Sequence, residues 1–239
     1  MMRACFDRVI ESTLGRRCLT LPLFAWLVAA LLFVLFAHLG GEVGEGETIG
    51  FDGYALRAAQ ALRASHPWVS TVMRDFTGVG GTFVLAIITM GACGYLILSR
   101  SWRTAVLVAF SVLSASGAVQ LLKAAFARSR PEPVFAEYAA AGLSFPSGHT
   151  SMSAVVFLTL GLLIARTHAR ASERIYIVAV SVVLAVLVGV SRAALGVHWA
   201  TEVIGGWAFG AAWATAWLLV ARHFDSDEVS DAACGVPHS

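Results

Sequence analysis

A chain of 239 residues in which 58% of side chains are apolar and only 13% are charged, with a mean hydropathy of +0.75, departs from soluble domains, where about 25% of residues carry charge. The apolar residues form uninterrupted blocks without heptads, which excludes disordered, collagen-like and coiled-coil chains and places this one in a lipid bilayer. A net charge of +2 gives no reason to expect a nucleic-acid partner, so the position of each charge matters more than the total.

Crossing the roughly 30 Å hydrocarbon core takes about 20 apolar residues in a helix. Six runs free of Asp, Glu, Lys and Arg are candidates: 19–39, 79–98, 104–122, 150–165, 175–191 and 203–221. Open sheets leave backbone groups unsatisfied in lipid, so the expected fold is all-α, a single polytopic membrane domain over residues 1–239 with six transmembrane helices. The first run is longer than a secretory-signal core and no clean cleavage pattern follows it, so it is expected to stay as a helix.

Between the first two runs, residues 40–77 are expected to lie at the outer interface. Residues 40–50 carry Glu42, Glu45 and Glu47 among glycines and read as a loop. Phe51, Tyr54, Ala55, Ala58 and Leu62 then recur at helical spacing until His66-Pro67 breaks the pattern before Trp68. Residues 222–239, with Asp225, Asp227, Glu228 and Asp231, read as a polar tail.

Six spans put both termini and two loops on one side. That side holds Arg3, Arg8, Arg16, Arg17, Arg100, Arg103, Arg166, Arg170, Arg174 and Arg222, the larger share of the seventeen basic residues, and is expected to be cytoplasmic. The other side holds Arg57, Arg63, Arg74, Lys123, Arg128, Arg130 and Arg192. Of the four cysteines, Cys5, Cys18 and Cys234 fall at the cytoplasmic side and Cys93 within a span, so no disulfide is expected. No zinc-ligand spacing, nucleotide loop or internal repeat is present, and neither a metal nor a cofactor is expected.

Charges near a bilayer are costly, and three groups of polar residues fall at helix ends on the outer side. The first is Lys123, six residues, then Arg130-Pro131. The second is Pro146-Ser147-Gly148-His149. The third is Ser191-Arg192, five residues, His198, then Glu202 four positions on. Each has an ordinary explanation when taken alone. Lys123 and Arg130 suit snorkelling headgroup anchors, Ser147 a helix cap, and His198 with Glu202 an i,i+4 polar pair. Arg128 lies outside the spacing and reads as a headgroup or loop charge.

Together they suit a phosphate ester. Lys123, Arg130 and Arg192 can surround phosphoryl oxygens, while Ser147 and the Gly148 N–H add donors near a helix N-terminus. Two histidines fit nucleophile and general acid, and a carboxylate one turn beyond His198 can fix its tautomer.

These motifs resemble the three-part signature of the type 2 phosphatidic acid phosphatase (PAP2) superfamily, K-x6-R-P, P-S-G-H and S-R-x5-H-x3-D, across residues 123–202. The resemblance implies a PAP2-like six-helix bundle and a metal-independent phosphatase acting on a membrane lipid phosphate. In it, Lys123, Arg130, Ser147, Gly148 and Arg192 would bind phosphate, His149 would act as general acid, and His198 would form a phosphohistidine. The last position departs from the pattern, with Glu202 where the family usually has Asp. Phosphatidic acid, phosphatidylglycerol phosphate and undecaprenyl diphosphate are the substrate types implied, with the site at the outer face of a cytoplasmic membrane. Two alternatives stay open: a lipid phosphotransferase using the same site, and a non-catalytic carrier of anionic lipid. Oligomeric state is not legible in one chain.

Overall fold

The computed structural model describes the backbone of residues 2–233 and the side chains of residues 23–221. Cys5, Cys18, Cys234, Arg3, Arg8, Arg16, Arg17, Arg222 and the acidic side chains of the expected tail lie outside the described side chains. Among the described residues eight α-helices follow one another: α1 (Met2–Glu45), α2 (Ile49–Ser65), α3 (Trp68–Val79), α4 (Thr82–Leu98), α5 (Trp102–Phe126), α6 (Gly148–Arg166), α7 (Ala171–Ala194) and α8 (Ala200–Ala233). A single 3-10 turn (Pro133–Phe135) interrupts the connection between α5 and α6, and the described residues contain no strand. Among the described residues six stretches are long and apolar enough to cross a bilayer: Leu23–Glu45, Trp68–Leu98, Trp102–Phe126, Gly148–Arg166, Ala171–Ala194 and Ala200–Ala221. Phe83, Leu98, Leu113, Leu121, Ile175 and Tyr176 point outward from them, the apolar exterior that a lipid-embedded bundle requires.

Several boundaries differ from the sequence expectation. Residues 40–45 continue α1 instead of forming a loop, because Gly40 has a packing role: a Cβ there would lie 2.6 Å from the Phe126 ring, so its absence lets α1 approach α5. The turn comes only at Gly46, whose φ of 77° lies in the left-handed region that glycine tolerates. The second crossing begins at Trp68, since α3 leads into α4 across Gly80-Gly81. Arg74 and Asp75 bound the charge-free run, yet Arg74 is an ion-pair partner of Glu137 at 2.9 Å. The expected polar tail is helical as far as Ala233.

Helices α6 and α8 are the most buried and form the centre of the bundle, with α7 packed on both. Small residues allow this close approach, as is usual between helices in lipid, where packing rather than water drives association. Gly161 of α6 faces Ser181 of α7, Gly189 of α7 faces the Trp207 ring, and Gly210 of α8 lies against Ala154. Beside this centre, an aromatic cluster ties α1 to the segment that enters α6. Phe145 is fully buried, stacks on Phe36 at 5.5 Å between centroids and meets Phe126 edge-on at 4.7 Å. Its burial fixes the chain immediately before Pro146-Ser147-Gly148-His149.

Two glycine substitutions separate packing from propensity. Gly189→Ala, whose new Cβ would sit 2.5 Å from Trp207, is expected to cost about 1–3 kcal/mol of stability. Gly91→Ala, with no atom within 4 Å of its Cβ, is expected to be neutral or to gain up to about 1 kcal/mol. Melting temperatures of the purified variants in detergent check both signs.

Candidate active site

The three polar groups singled out in the sequence converge at one end of the bundle, and helix geometry explains how. Lys123 lies in the last turn of α5, which ends where Ala127 adopts a left-handed φ of 47° and donates its N–H to the Lys123 carbonyl at 2.9 Å. The chain then runs as loop through Arg128 and Arg130. Ser147 precedes α6 with extended backbone, so Gly148 and His149 form its first turn. Arg192 is in the last turn of α7. His198 sits in the short connection to α8, where Gly196 bends the chain with φ 69°; a Cβ there would collide with the Phe135 carbonyl. Glu202 occupies the first turn of α8.

His198 is the centre of the arrangement and is 1% exposed. Its Nδ1 lies 2.7 Å from Glu202 Oε2, and its Nε2 lies 3.1 Å from Arg130 Nη1. A carboxylate only accepts and a guanidinium only donates. The Nδ1 therefore carries the proton and Nε2 presents its lone pair toward the cations. Burial first, then the charges of Arg192, Arg130, Lys123 and His149, hold this imidazole well below its ordinary pKa of 6.5. The same Glu202 oxygen accepts from the Ser144 hydroxyl and from the Trp199 N–H at 3.2 Å, so its direction is over-determined.

The cations line the approach to Nε2. Arg130 donates to the carbonyls of Ala141, Gly142 and Val197, and burial pulls its guanidinium below its usual pKa while Glu202 opposes that shift. Lys123 Nζ donates to the carbonyls of Leu143 at 2.6 Å and Ser144 at 3.2 Å, and its Cε lies 3.8 Å from where a Gly148 Cβ would stand. Arg192 donates to Thr77 Oγ1 at 2.9 Å and to the Tyr138 hydroxyl, and its buried Nε has no partner. His149 is half-buried and feels the charges of Arg192, Arg130 and Lys123. Ser147 is fully buried; its Oγ accepts from the Thr150 hydroxyl at 2.9 Å, and its N–H donates to the Glu202 carbonyl at 3.3 Å. All eight residues named from the sequence are thus brought to one end of the bundle, where the buried Arg192 Nε is left without a hydrogen-bond partner.

The sequence reading missed the contribution of α2 and α3. Thr77 of α3 holds Arg192, and Arg63 of α2 donates to the carbonyls of Ala194 and Phe135, clamping the end of α7 against the 3-10 turn. Arg128 is also no free headgroup charge: its side chain is 14% exposed and pairs with Asp52 of α2 at 2.7 Å. The helical periodicity of residues 51–62 was visible, but a buried aspartate on that helix finds its partner 76 positions away, a distance no local pattern reports.

Comparison with known proteins agrees with this architecture. A family model described as the PAP2 superfamily matches residues 104–225. The chain is 31% identical over 186 residues to phosphatidylglycerophosphatase B of Bacillus subtilis, a match covering 75% of this chain and 87% of that protein. The crystal structure of a transmembrane PAP2-type phosphatidylglycerolphosphate phosphatase from Bacillus subtilis superposes with a TM-score of 0.72 at 28% identity, covering 83% of this chain and 96% of that one. The chain belongs to the PAP2 superfamily and is a membrane-embedded lipid phosphatase.

Proposed function

We propose that the chain hydrolyses a terminal phosphate from a membrane lipid phosphate or diphosphate through a phosphohistidine at His198. The observation that carries this reading is the buried His198 ring, with Nδ1 fixed by Glu202 and the Nε2 lone pair turned toward Lys123, Arg130 and Arg192. Phosphate binding replaces the carbonyls that Lys123 and Arg130 now hold, and it supplies the acceptor that Arg192 Nε lacks. Nε2 attacks phosphorus in line, the N–P bond forms as the P–O bond to the lipid breaks, and His149 gives its proton to the departing oxygen. Water then attacks phosphorus, His149 takes its proton, and inorganic phosphate leaves as the N–P bond breaks. Three side-chain cations neutralise the equatorial oxygens throughout, so the reaction requires no metal.

Among substrates we rank phosphatidylglycerol phosphate ahead of phosphatidic acid and undecaprenyl diphosphate, a choice supported by the names of both relatives. The distribution of arginines supports a chain with cytoplasmic termini in a cytoplasmic membrane and the site at its outer face.

Phosphate release from detergent-solubilised phosphatidylglycerol phosphate is expected to survive EDTA and to fall by at least about 10³-fold in His198→Ala. An active His198→Ala enzyme contradicts the mechanism, and appearance of the phosphate on a second lipid in place of solution turns hydrolysis into transfer. Acidity gives a second check. Because burial and neighbouring cations lower the pKa of His198, the ring stays neutral at pH 6.5, where an ordinary imidazole is half protonated. Titration of the His198 ring, followed by NMR in detergent, is therefore expected to have its midpoint below pH 6.5; a midpoint at or above that value means His198 is not held neutral. By the same sign, the unfolded chain binds a proton at this residue before the folded one, so the group costs stability as pH falls below 6.5.

A further inference from the structure

Glu202 is one methylene longer than the aspartate usual at its position, so one more torsion must be held for its carboxylate to face His198. Three donors converge on Oε2, but Oε1 is buried without a hydrogen-bond donor. What faces Oε1 is Arg128, with Nη1 at 3.4 Å. Arg128 is in turn gripped from every side. Its Nη2 donates to Asp52 Oδ2 at 2.7 Å and to Thr48 Oγ1 at 3.3 Å, its Nη1 donates to Thr201 Oγ1 at 3.0 Å, and its guanidinium lies 5.2 Å from the Trp199 ring centroid.

Asp52 is fully buried on α2 and also reaches the start of α8, accepting from the Thr201 N–H at 2.9 Å and the Thr201 hydroxyl at 2.7 Å. That places a carboxylate at the positive end of the α8 dipole, immediately before Glu202. One guanidinium is shared between two buried carboxylates, and removing it leaves both uncompensated.

We infer that Asp52 and Arg128 form a buried positioning pair that sets the Glu202 carboxylate against His198, and that α2 is thereby part of the catalytic apparatus. The partners of Arg128 are Asp52, Thr48, Thr201, Glu202 and the Trp199 ring, and His198 is not among them, so Arg128 acts through Glu202. The pair serves the longer carboxylate by facing its far oxygen, so that Oε2 stays turned toward the imidazole. This rests on the proposed role of His198.

The test compares Arg128→Gln, Arg128→Lys, Asp52→Asn and the double variant Asp52→Asn/Arg128→Gln, in detergent, with phosphatidylglycerol phosphate as substrate and inorganic phosphate as competitive inhibitor. Arg128→Gln and Asp52→Asn are each expected to lower kcat by up to about 100-fold, the cost of a small misplacement of a reacting group, with KM and phosphate inhibition unchanged. Arg128→Lys, which keeps the charge, is expected to recover part of the loss. The double variant is expected to be no worse than the poorer single one, because both act on one carboxylate. Wild-type kcat in Arg128→Gln, or a raised KM at unchanged kcat, overturns the inference by making Arg128 a headgroup contact. Should Arg128→Gln fail to fold, the near-isosteric Asp52→Asn decides: lowered kcat with intact phosphate inhibition supports the pair, and wild-type kcat overturns it. An active His198→Ala enzyme is the separate result that removes the mechanism itself.

Discussion

The cost of holding several charges in a confined recess at the end of a membrane bundle governs this structure. Lys123, Arg130 and Arg192 repel one another and all lower the proton affinity of His198. Such a cluster persists only where each member is compensated, because an isolated buried charge is far more expensive than a paired one. Carbonyls from residues 141–144 and 197 take the donors of Lys123 and Arg130, Tyr138 and Thr77 take those of Arg192, and Glu202 supplies negative charge beneath the histidine. Every compensating partner except Glu202 and the Val197 carbonyl comes from outside the motifs, so the rest of the fold serves to bring them there.

The bundle meets that demand through unequal helices. The buried central pair α6 and α8 carry His149 and Glu202 in their first turns, and both first turns open on the same end of the molecule. Small residues keep α6, α7 and α8 close enough for Arg192 and His198 to share one recess. The Phe36, Phe126 and Phe145 cluster then locks the entry to α6, tying the anion cradle to α1 and α5 as well. The outward helices α4 and α5 contribute apolar surface to lipid and, at the end of α5, one lysine.

The sequence made the bundle and the site residues readable for a physical reason: charges and histidines are conspicuous in apolar surroundings, and the eight fall at helix ends or in the short connections beside them, where hydropathy changes. Helix limits were less readable, since hydropathy marks where apolar residues stop and not where hydrogen bonding stops. Lys123, Arg192 and Glu202 therefore turned out to lie inside helices instead of beyond them. Gly40 reads as a loop residue because composition cannot distinguish a glycine that bends a chain from one that admits a neighbouring ring. Asp52 and Arg128 were hidden for a different reason. Each looks like a surface charge in its own segment, and only the three-dimensional arrangement puts one beside the other under Glu202.

The covalent step at His198 is the central claim, and it is tested most directly by trapping. Mixing the enzyme with substrate labelled in its terminal phosphate and quenching in base within one turnover is predicted to leave label on His198, in a form stable to alkali and lost in acid. Label absent from the protein at every quench time, while phosphate continues to be released, would contradict the account and leave water as the direct attacking group.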